Sequence, residues 1–361
     1  MKYCNKCGLK LKGTEEFCRS CGNNLEARRN ALNESSHEST TYSSEEPINT
    51  ISSTISTAIS LTNFTVKHGG NVILDDINLE VKRGELVCLL GPSGTGKSSI
   101  IECLVGRKKP TSGEISIFGV DADDKKVKDY LGFVPQHAEL YLNQTVEQNL
   151  LSSATKYGVK NAKNKVNEIL ALISLSEKNT LKASKLSGGQ LKLLSLGMEL
   201  IRSPELLILD EPTTGLDPNT RDSIITILSR IVTKQGKTVF FSTHHMDDAE
   251  ECDEVIIVSD GTVTVQGSPE KLKKRLPGRG KVVTITLDNI TDDLMRKIKK
   301  IAGIIKLVSE GRNIKIITEE PNAVKLAHKI DEIGGVVNKA EITNATMKEV
   351  FVYYTGKEVK E

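Results

Sequence analysis

Leu86-Val87-Cys88-Leu89-Leu90-Gly91-Pro92-Ser93-Gly94-Thr95-Gly96-Lys97-Ser98-Ser99-Ile100-Ile101-Glu102-Cys103 is the stretch on which the reading of this chain turns. Five apolar residues of strand length run directly into Gly91 to Ser98, which has the spacing Gly-x4-Gly-Lys-Ser of a phosphate-binding loop, and a helix-like segment follows from Ser99. Glycines let backbone N–H groups turn inward around phosphate oxygens, and the helix aims its positive end at the same anion. In such a loop Lys97 bridges the β- and γ-phosphates and the Ser98 hydroxyl ligates Mg²⁺. Gly91, Pro92, Ser93, Gly94, Thr95, Gly96 and Ser99 complete the cradle. The competing reading is an ordinary glycine-rich turn between a strand and a helix, and the rest of the chain argues against it.

Composition bounds what surrounds this loop. A chain of 361 residues accommodates two or three domains and a sizeable core. Its formal net charge of +2 gives no electrostatic reason to expect nucleic-acid binding. No apolar run approaches the roughly 20 residues needed to span a bilayer. Met1-Lys2-Tyr3-Cys4 does not open like a signal peptide. The expectation is a soluble, cytoplasmic polypeptide whose membrane role, if it has one, comes through a partner.

The first segment, residues 1–25, reads separately. Cys4-Asn5-Lys6-Cys7 and Cys18-Arg19-Ser20-Cys21 are two Cys-x2-Cys knuckles, each followed by a glycine. Four thiolates so arranged make a tetrahedral Zn²⁺ site. A segment this short cannot bury enough apolar surface to fold alone, so bound metal has to supply the missing stability. Two disulfides are the alternative, and a cytosolic compartment disfavours them. The segment resembles a short N-terminal zinc ribbon, which implies a protein partner more than a chemistry. Residues 26–58, rich in Ser, Thr and Glu, offer little to bury and read as a disordered linker. Cys88, Cys103 and Cys252 lie in apolar or helical surroundings and read as buried thiols.

The large domain is expected over residues 59–276. Leu61 to Val66 alternates like a strand, and Val72 to Leu74 and Ile77 to Val81 read as further strands. Leu206-Leu207-Ile208-Leu209-Asp210-Glu211 describes a buried parallel strand delivering two acids at its C-terminal edge, where α/β sheets bind ligands. Asp210 is then the second Mg²⁺ ligand beside Ser98, and Glu211 orients and polarises the attacking water. Thr238 to Thr243 is the next strand, with His244 at its end. Strands alternating with helices predict an α/β fold, a mainly parallel sheet wrapped in helices.

The loop, Gln136, Leu186-Ser187-Gly188-Gly189-Gln190, the acidic strand, Gly215-Leu216-Asp217-Pro218 and His244 occur in an order that resembles an ABC transporter ATPase subunit. The resemblance covers roughly residues 60–276. It implies a P-loop ATPase of ABC type with a helical subdomain, binding ATP and Mg²⁺. It makes Gln136 the Q-loop glutamine that senses Mg²⁺. It makes Ser187, Gly188, Gly189 and Gln190 the signature motif gripping the γ-phosphate held by an opposite protomer. Asp217 becomes the D-loop residue crossing that interface, and His244 the switch histidine. The family usually stacks adenine on an aromatic residue in a Tyr-Gly pair ahead of the phosphate loop; here His68-Gly69 takes that place. Leu191 stands where relatives often carry a polar or basic residue.

Residues 281–357 alternate as strand, helix, strand, strand, helix, strand, the ferredoxin-like order. The ending from Thr346 to Gly356 is similar to the tail of ABC-2-type exporter ATPases for drug or sodium efflux. The basic run Lys271, Lys273, Lys274 and Arg275 reads as a solvated helix face. The resemblance implies an ATP-hydrolysing subunit of an exporter, two copies sandwiching two Mg-ATP and driving a separate membrane permease from its cytoplasmic face. The alternatives are a non-transport ABC ATPase and an ATP-gated adaptor that recruits a partner through the zinc ribbon.

Overall fold

The computed structural model describes residues 2–3, 10–11 and 56–357. Short strands Lys2–Tyr3 and Lys10–Leu11 pair antiparallel. Cys4, Cys7, Cys18 and Cys21 lie outside the described residues, as does the linker up to residue 55. The chain divides into two compact units, Met1–Val87 with Ser98–Ser242, and Cys88–Lys97 with Thr243–Glu361.

In the first unit, strand Leu206–Leu209 is fully buried and pairs in parallel with Leu131–Val134 on one side and with Thr238–Thr243 on the other. Such wholly apolar runs belong in a sheet covered on both faces. The registers set Val134 opposite Leu209 and Leu209 opposite Phe241. Gln136 and the Asp210–Glu211 pair, which follow their strands, and Ser242, near the end of its own, are thereby delivered to one edge. Gly132 is glycine because a Cβ there would stand 2.8 Å from the Pro204 ring.

A four-stranded antiparallel sheet runs Asn71–Lys82, Thr57–His68, Ser112–Ile117 and Val120–Asp121 in that order in the same unit. Two expectations need correction here. Strand Thr57–His68 begins inside the segment assigned to the linker, and Ala58 is buried. Residues 72–74 and 77–81 form one strand, Asn71–Lys82, instead of two. The interruption read between them is a bulge. Asn63 and Asp76 adopt left-handed backbones, and side-chain hydrogen bonds among Asn63, Asp76 and Asn78 bridge the broken ladder.

Helices Val146–Lys156, Ala162–Leu172 and Gly188–Leu200 pack together in the same unit. Their meeting point is Gly197, where a Cβ would come within 2.8 Å of Ile173, 3.1 Å of Ile169 and 3.2 Å of Leu150. Helix Pro218–Gln235, not anticipated, starts on Asp217 as N-cap with proline in its first turn.

In the second unit, strand Glu254–Ser259 turns back on Thr262–Gly267 through Asp260-Gly261, both with positive φ, the turn chemistry of a tight hairpin. Beyond it come strand Lys281–Leu287, helix Asp292–Ile298, strands Ile304–Glu310 and Asn313–Thr318, helix Ala323–Glu332 and strand Val337–Asn344. All three strand pairings are antiparallel, and Lys281–Leu287 lies between Asn313–Thr318 and Val337–Asn344. Val283, Ile285 and Leu287 alternate onto the face covered by Leu294, Ile298, Leu326 and Ile330. The last helix, Met347–Thr355, opens with a capping box, and the Met347 amide donates to Glu250 Oε1 at 2.7 Å. Lys273, read as part of a solvated face, instead pairs with the Glu250 carboxylate.

Among the described residues no helix is long and apolar enough to cross a membrane.

Candidate functional site

The glycine-rich loop keeps its shape through backbone that only glycine adopts cheaply, with φ of +83° at Gly94 and +95° at Gly96. Gly91 serves close approach: a Cβ there would stand 2.4 Å from the Val258 carbonyl oxygen. Lys97, 3% exposed, folds back so that its ammonium donates to the carbonyls of Gly91 at 2.7 Å and Pro92 at 2.9 Å. A buried ammonium is thus held across the loop by the loop's own carbonyls. Ser93 and Gly94 are exposed, Pro92 and Thr95 partly so, and helix Lys97–Leu104 carries Ser98 and Ser99 in its first turn.

Ser98 Oγ lies 3.3 Å from Asp210 Oδ1, and Ser242 Oγ donates to the same carboxylate oxygen at 2.6 Å. A hydroxyl and a carboxylate oxygen side by side are the hard donors that suit Mg²⁺. Among the described residues no cluster of three or more His, Cys, Asp or Glu side chains could hold a metal on its own.

Glu211 follows Asp210 with φ of +46°, left-handed for a residue that carries a Cβ, and both acids are 8% exposed. Its amide donates to Ser242 Oγ at 2.9 Å. Its Oε2 accepts from Thr214 Oγ1 at 2.8 Å and from Gln136 Nε2 at 3.3 Å. Gln136 is therefore brought to the Glu211 carboxylate. Thr214, Ser242 and Lys192, whose ammonium donates to the carbonyls of Glu211 and Thr214, are site residues that sequence reasoning missed.

Ser187 caps helix Gly188–Leu200 in a capping box with Gln190, so each residue satisfies a backbone donor of the other. The amides of Gly188 and Gly189 are left at the helix start, where an anion is favoured. Gly188 is open, whereas Gly189 packs on Thr220. Thr220 in turn is held by Asp217, whose carboxylate accepts from its amide at 3.1 Å and its hydroxyl at 2.6 Å. Those bonds hold the Asp217 carboxyl below its ordinary range. Asp217 thus has a local task, capping, in addition to the one expected of it.

In the second unit the His244 ring lies 4.2 Å from that of His245, centroid to centroid. Thr243 Oγ1 donates to the buried Asp248 carboxylate and accepts from the His245 amide, which fixes the turn that presents both rings. His68 ends strand Thr57–His68 with an exposed ring, just before the Gly69-Gly70 turn.

Residues 74–214 match the family model described as ABC transporter. ABC transporter G family member 20 of Dictyostelium discoideum is 36% identical over 222 residues, which are 60% of this chain and 30% of that protein. The chain thus spans under a third of that relative's length. Nod factor export ATP-binding protein I of Rhizobium sp. (strain N33) is 31% identical over 308 residues, 84% of this chain and 98% of the relative. Among solved structures, the dimeric post-hydrolysis state of the ATP-binding cassette MJ0796 bound to ADP and Pi superposes with a TM-score of 0.53 at 29% identity, covering 58% of this chain and 98% of that one.

Proposed function

The chain belongs to the ABC transporter family as an ATP-binding, ATP-hydrolysing subunit, and from that premise we propose that it powers an exporter. The observation that carries this reading is the Glu211 carboxylate, buried at the C-terminal edge of parallel strands and aimed by Thr214 and Gln136.

Lys97 binds the β- and γ-phosphates in exchange for the loop carbonyls it now meets. Ser98, Asp210 and Gln136 would hold Mg²⁺, which neutralises charge on the phosphate oxygens when bound. Glu211 orients a water in line with the bond to be broken, and the oxygen–phosphorus bond to ADP breaks as water's oxygen bonds the γ-phosphorus. His244 contacts the γ-phosphate, and His68 offers adenine a stacking face. Ser187, Gly188, Gly189 and Gln190 grip the γ-phosphate bound to a second copy, and Asp217 lies at that junction. The dimeric ATP-binding cassette MJ0796 bound to ADP and Pi supports this pairing.

A relative named for Nod factor export, matched along 98% of its length, supports export through a separate permease, with this chain on the permease's cytoplasmic side. The two Cys-x2-Cys pairs support a Zn²⁺ ribbon at residues 1–25 that recruits a protein partner, joined by a linker to an ATPase domain ending near residue 276. Residues 281–357 form a ferredoxin-like accessory domain; the strand–helix–strand–strand–helix–strand order and the antiparallel sheet support that reading.

The test is Glu211→Gln beside Lys97→Ala. E211Q loses turnover, keeps ATP binding and accumulates as a dimer in Mg-ATP, because the phosphate bridging two copies is not cleaved. K97A loses ATP binding. Wild-type turnover by E211Q would overturn the assignment.

A further inference from the structure

Lys192 stands two residues beyond the Ser187–Gln190 turn, on the same helix, yet its ammonium is spent on the catalytic loop. It donates to the Thr214 carbonyl at 2.8 Å and to the Glu211 carbonyl at 3.0 Å. Those carbonyls bracket one turn, Glu211-Pro212-Thr213-Thr214, closed by the Thr214 amide on the Glu211 carbonyl at 3.3 Å. The hydroxyl of Thr214, at the far end of the turn, is the group that holds the Glu211 carboxylate. The near end is Glu211 itself, in its left-handed backbone. Such a conformation persists only where the surroundings over-determine it.

We propose that Lys192 is a positioning residue for Glu211, its ammonium pinning both ends of the Glu211–Thr214 turn so that the carboxylate stays aimed. The assignment rests on the reading of Glu211 given above. Rotation of Glu211 back to negative φ swings its carbonyl out of reach of Lys192, and displacement of Thr214 costs both the second carbonyl and the hydroxyl on Oε2. The lysine stem lines a small apolar cavity with Val134, Pro135, Leu209 and Pro212, so the head group approaches the turn from a dry side. Burial pushes the ammonium below the usual lysine range, and the Glu211 charge opposes that shift. A charged donor in such surroundings makes stronger hydrogen bonds to carbonyls than a neutral one.

The experiment compares full-length wild type, Lys192→Met and Lys192→Arg by steady-state ATPase against ATP concentration, ADP binding by calorimetry, and thermal melting. Methionine keeps the stem and deletes the donor. K192M is expected to lose about 10- to 100-fold in kcat, the scale of a misplaced catalytic group. Its KM for ATP and Kd for ADP stay within about twofold, because only an interaction serving the chemical step is gone. K192R, which can donate to two carbonyls from one fork, recovers to within about threefold of wild type. Should K192M not fold, Lys192→Gln makes the same comparison with one donor group, and its kcat is to fall between those of K192R and E211Q. A purely structural lysine would lower the melting temperature and leave the kcat of the folded protein alone. Turnover by K192M (or, in its place, K192Q) within about twofold of wild type overturns the proposal, as does equal impairment of K192R. E211Q run in parallel separates the two levels. If E211Q hydrolyses ATP normally the underlying reading falls; if only the lysine variant does, Lys192 alone was misassigned.

Discussion

Replacing Gly189 by alanine puts a methyl group where Thr220 already stands. A Cβ on Gly189 would lie 2.4 Å from Thr220 Cγ2, while its next neighbours, Thr220 Cβ at 3.5 Å and Leu216 Cδ2 at 3.6 Å, are ordinary contacts. Carbon atoms settle at about 3.5–4.0 Å, so more than about 1 Å has to be found somewhere. Thr220 cannot rotate its methyl aside, because the same torsion carries the hydroxyl bonded to Asp217 at 2.6 Å. Overpacking of this kind costs about 1–3 kcal/mol, against about 0.5–1 kcal/mol gained by alanine over glycine in a helix. The clash wins, and Gly189→Ala is expected to destabilise the protein by about 1–2 kcal/mol.

The same geometry names the rescue. Thr220→Ser removes Cγ2 and keeps the hydroxyl on Asp217. In that background alanine at 189 meets only the contacts beyond 3.4 Å, so its effect turns neutral or stabilising. Urea unfolding of the four proteins should give a coupling energy of about 1–3 kcal/mol. ATPase activity is expected not to follow: the doubly substituted protein regains stability but stays slow, since the added methyl remains at the helix start that meets phosphate. The reasoning is refuted if G189A is as stable as wild type, or if T220S leaves its defect untouched.

Two further outcomes follow from the proposed roles. His68→Ala should raise the KM for ATP, with base–aromatic stacking of about 1–3 kcal/mol as the upper scale, while His68→Tyr holds or lowers it; unchanged KM in both would mean adenine stacks elsewhere. Elemental analysis should find one Zn²⁺ per chain, lost in Cys4→Ser/Cys7→Ser with basal ATPase unchanged; metal retained by that variant would refute the cysteine ligand set.

The parts of this molecule legible in its sequence are those whose chemistry demands a fixed spacing. The loop from Gly91 to Ser98 has glycine where φ is positive and lysine where a phosphate loop requires it, so spacing alone announces it. Leu206 to Leu209 is legible because a strand buried on both faces admits apolar residues at every position. Thr214, Ser242 and Lys192 were not. A hydroxyl or ammonium that fastens the backbone or carboxylates of Asp210 and Glu211 is chosen by three-dimensional reach, and no sequence interval marks it. The joining of residues 72–74 to 77–81 is hidden for the opposite reason: Asp76 and Asn78 look like loop residues, and only Asn63 on the neighbouring strand makes them a bulge. Helix Pro218–Gln235 did leave a signal, Asp217 followed by proline, an N-cap before a first-turn proline.

Glu211 sits in backbone that disfavours any side chain by about 1–2 kcal/mol, and glycine there would relax it. The residue proposed to orient the attacking water is thus also one at which the fold is not at its optimum. An unselected population of this gene, screened only for thermal tolerance, has an open route to greater stability at position 211, and that route ends in a well-folded protein that binds ATP and does nothing with it.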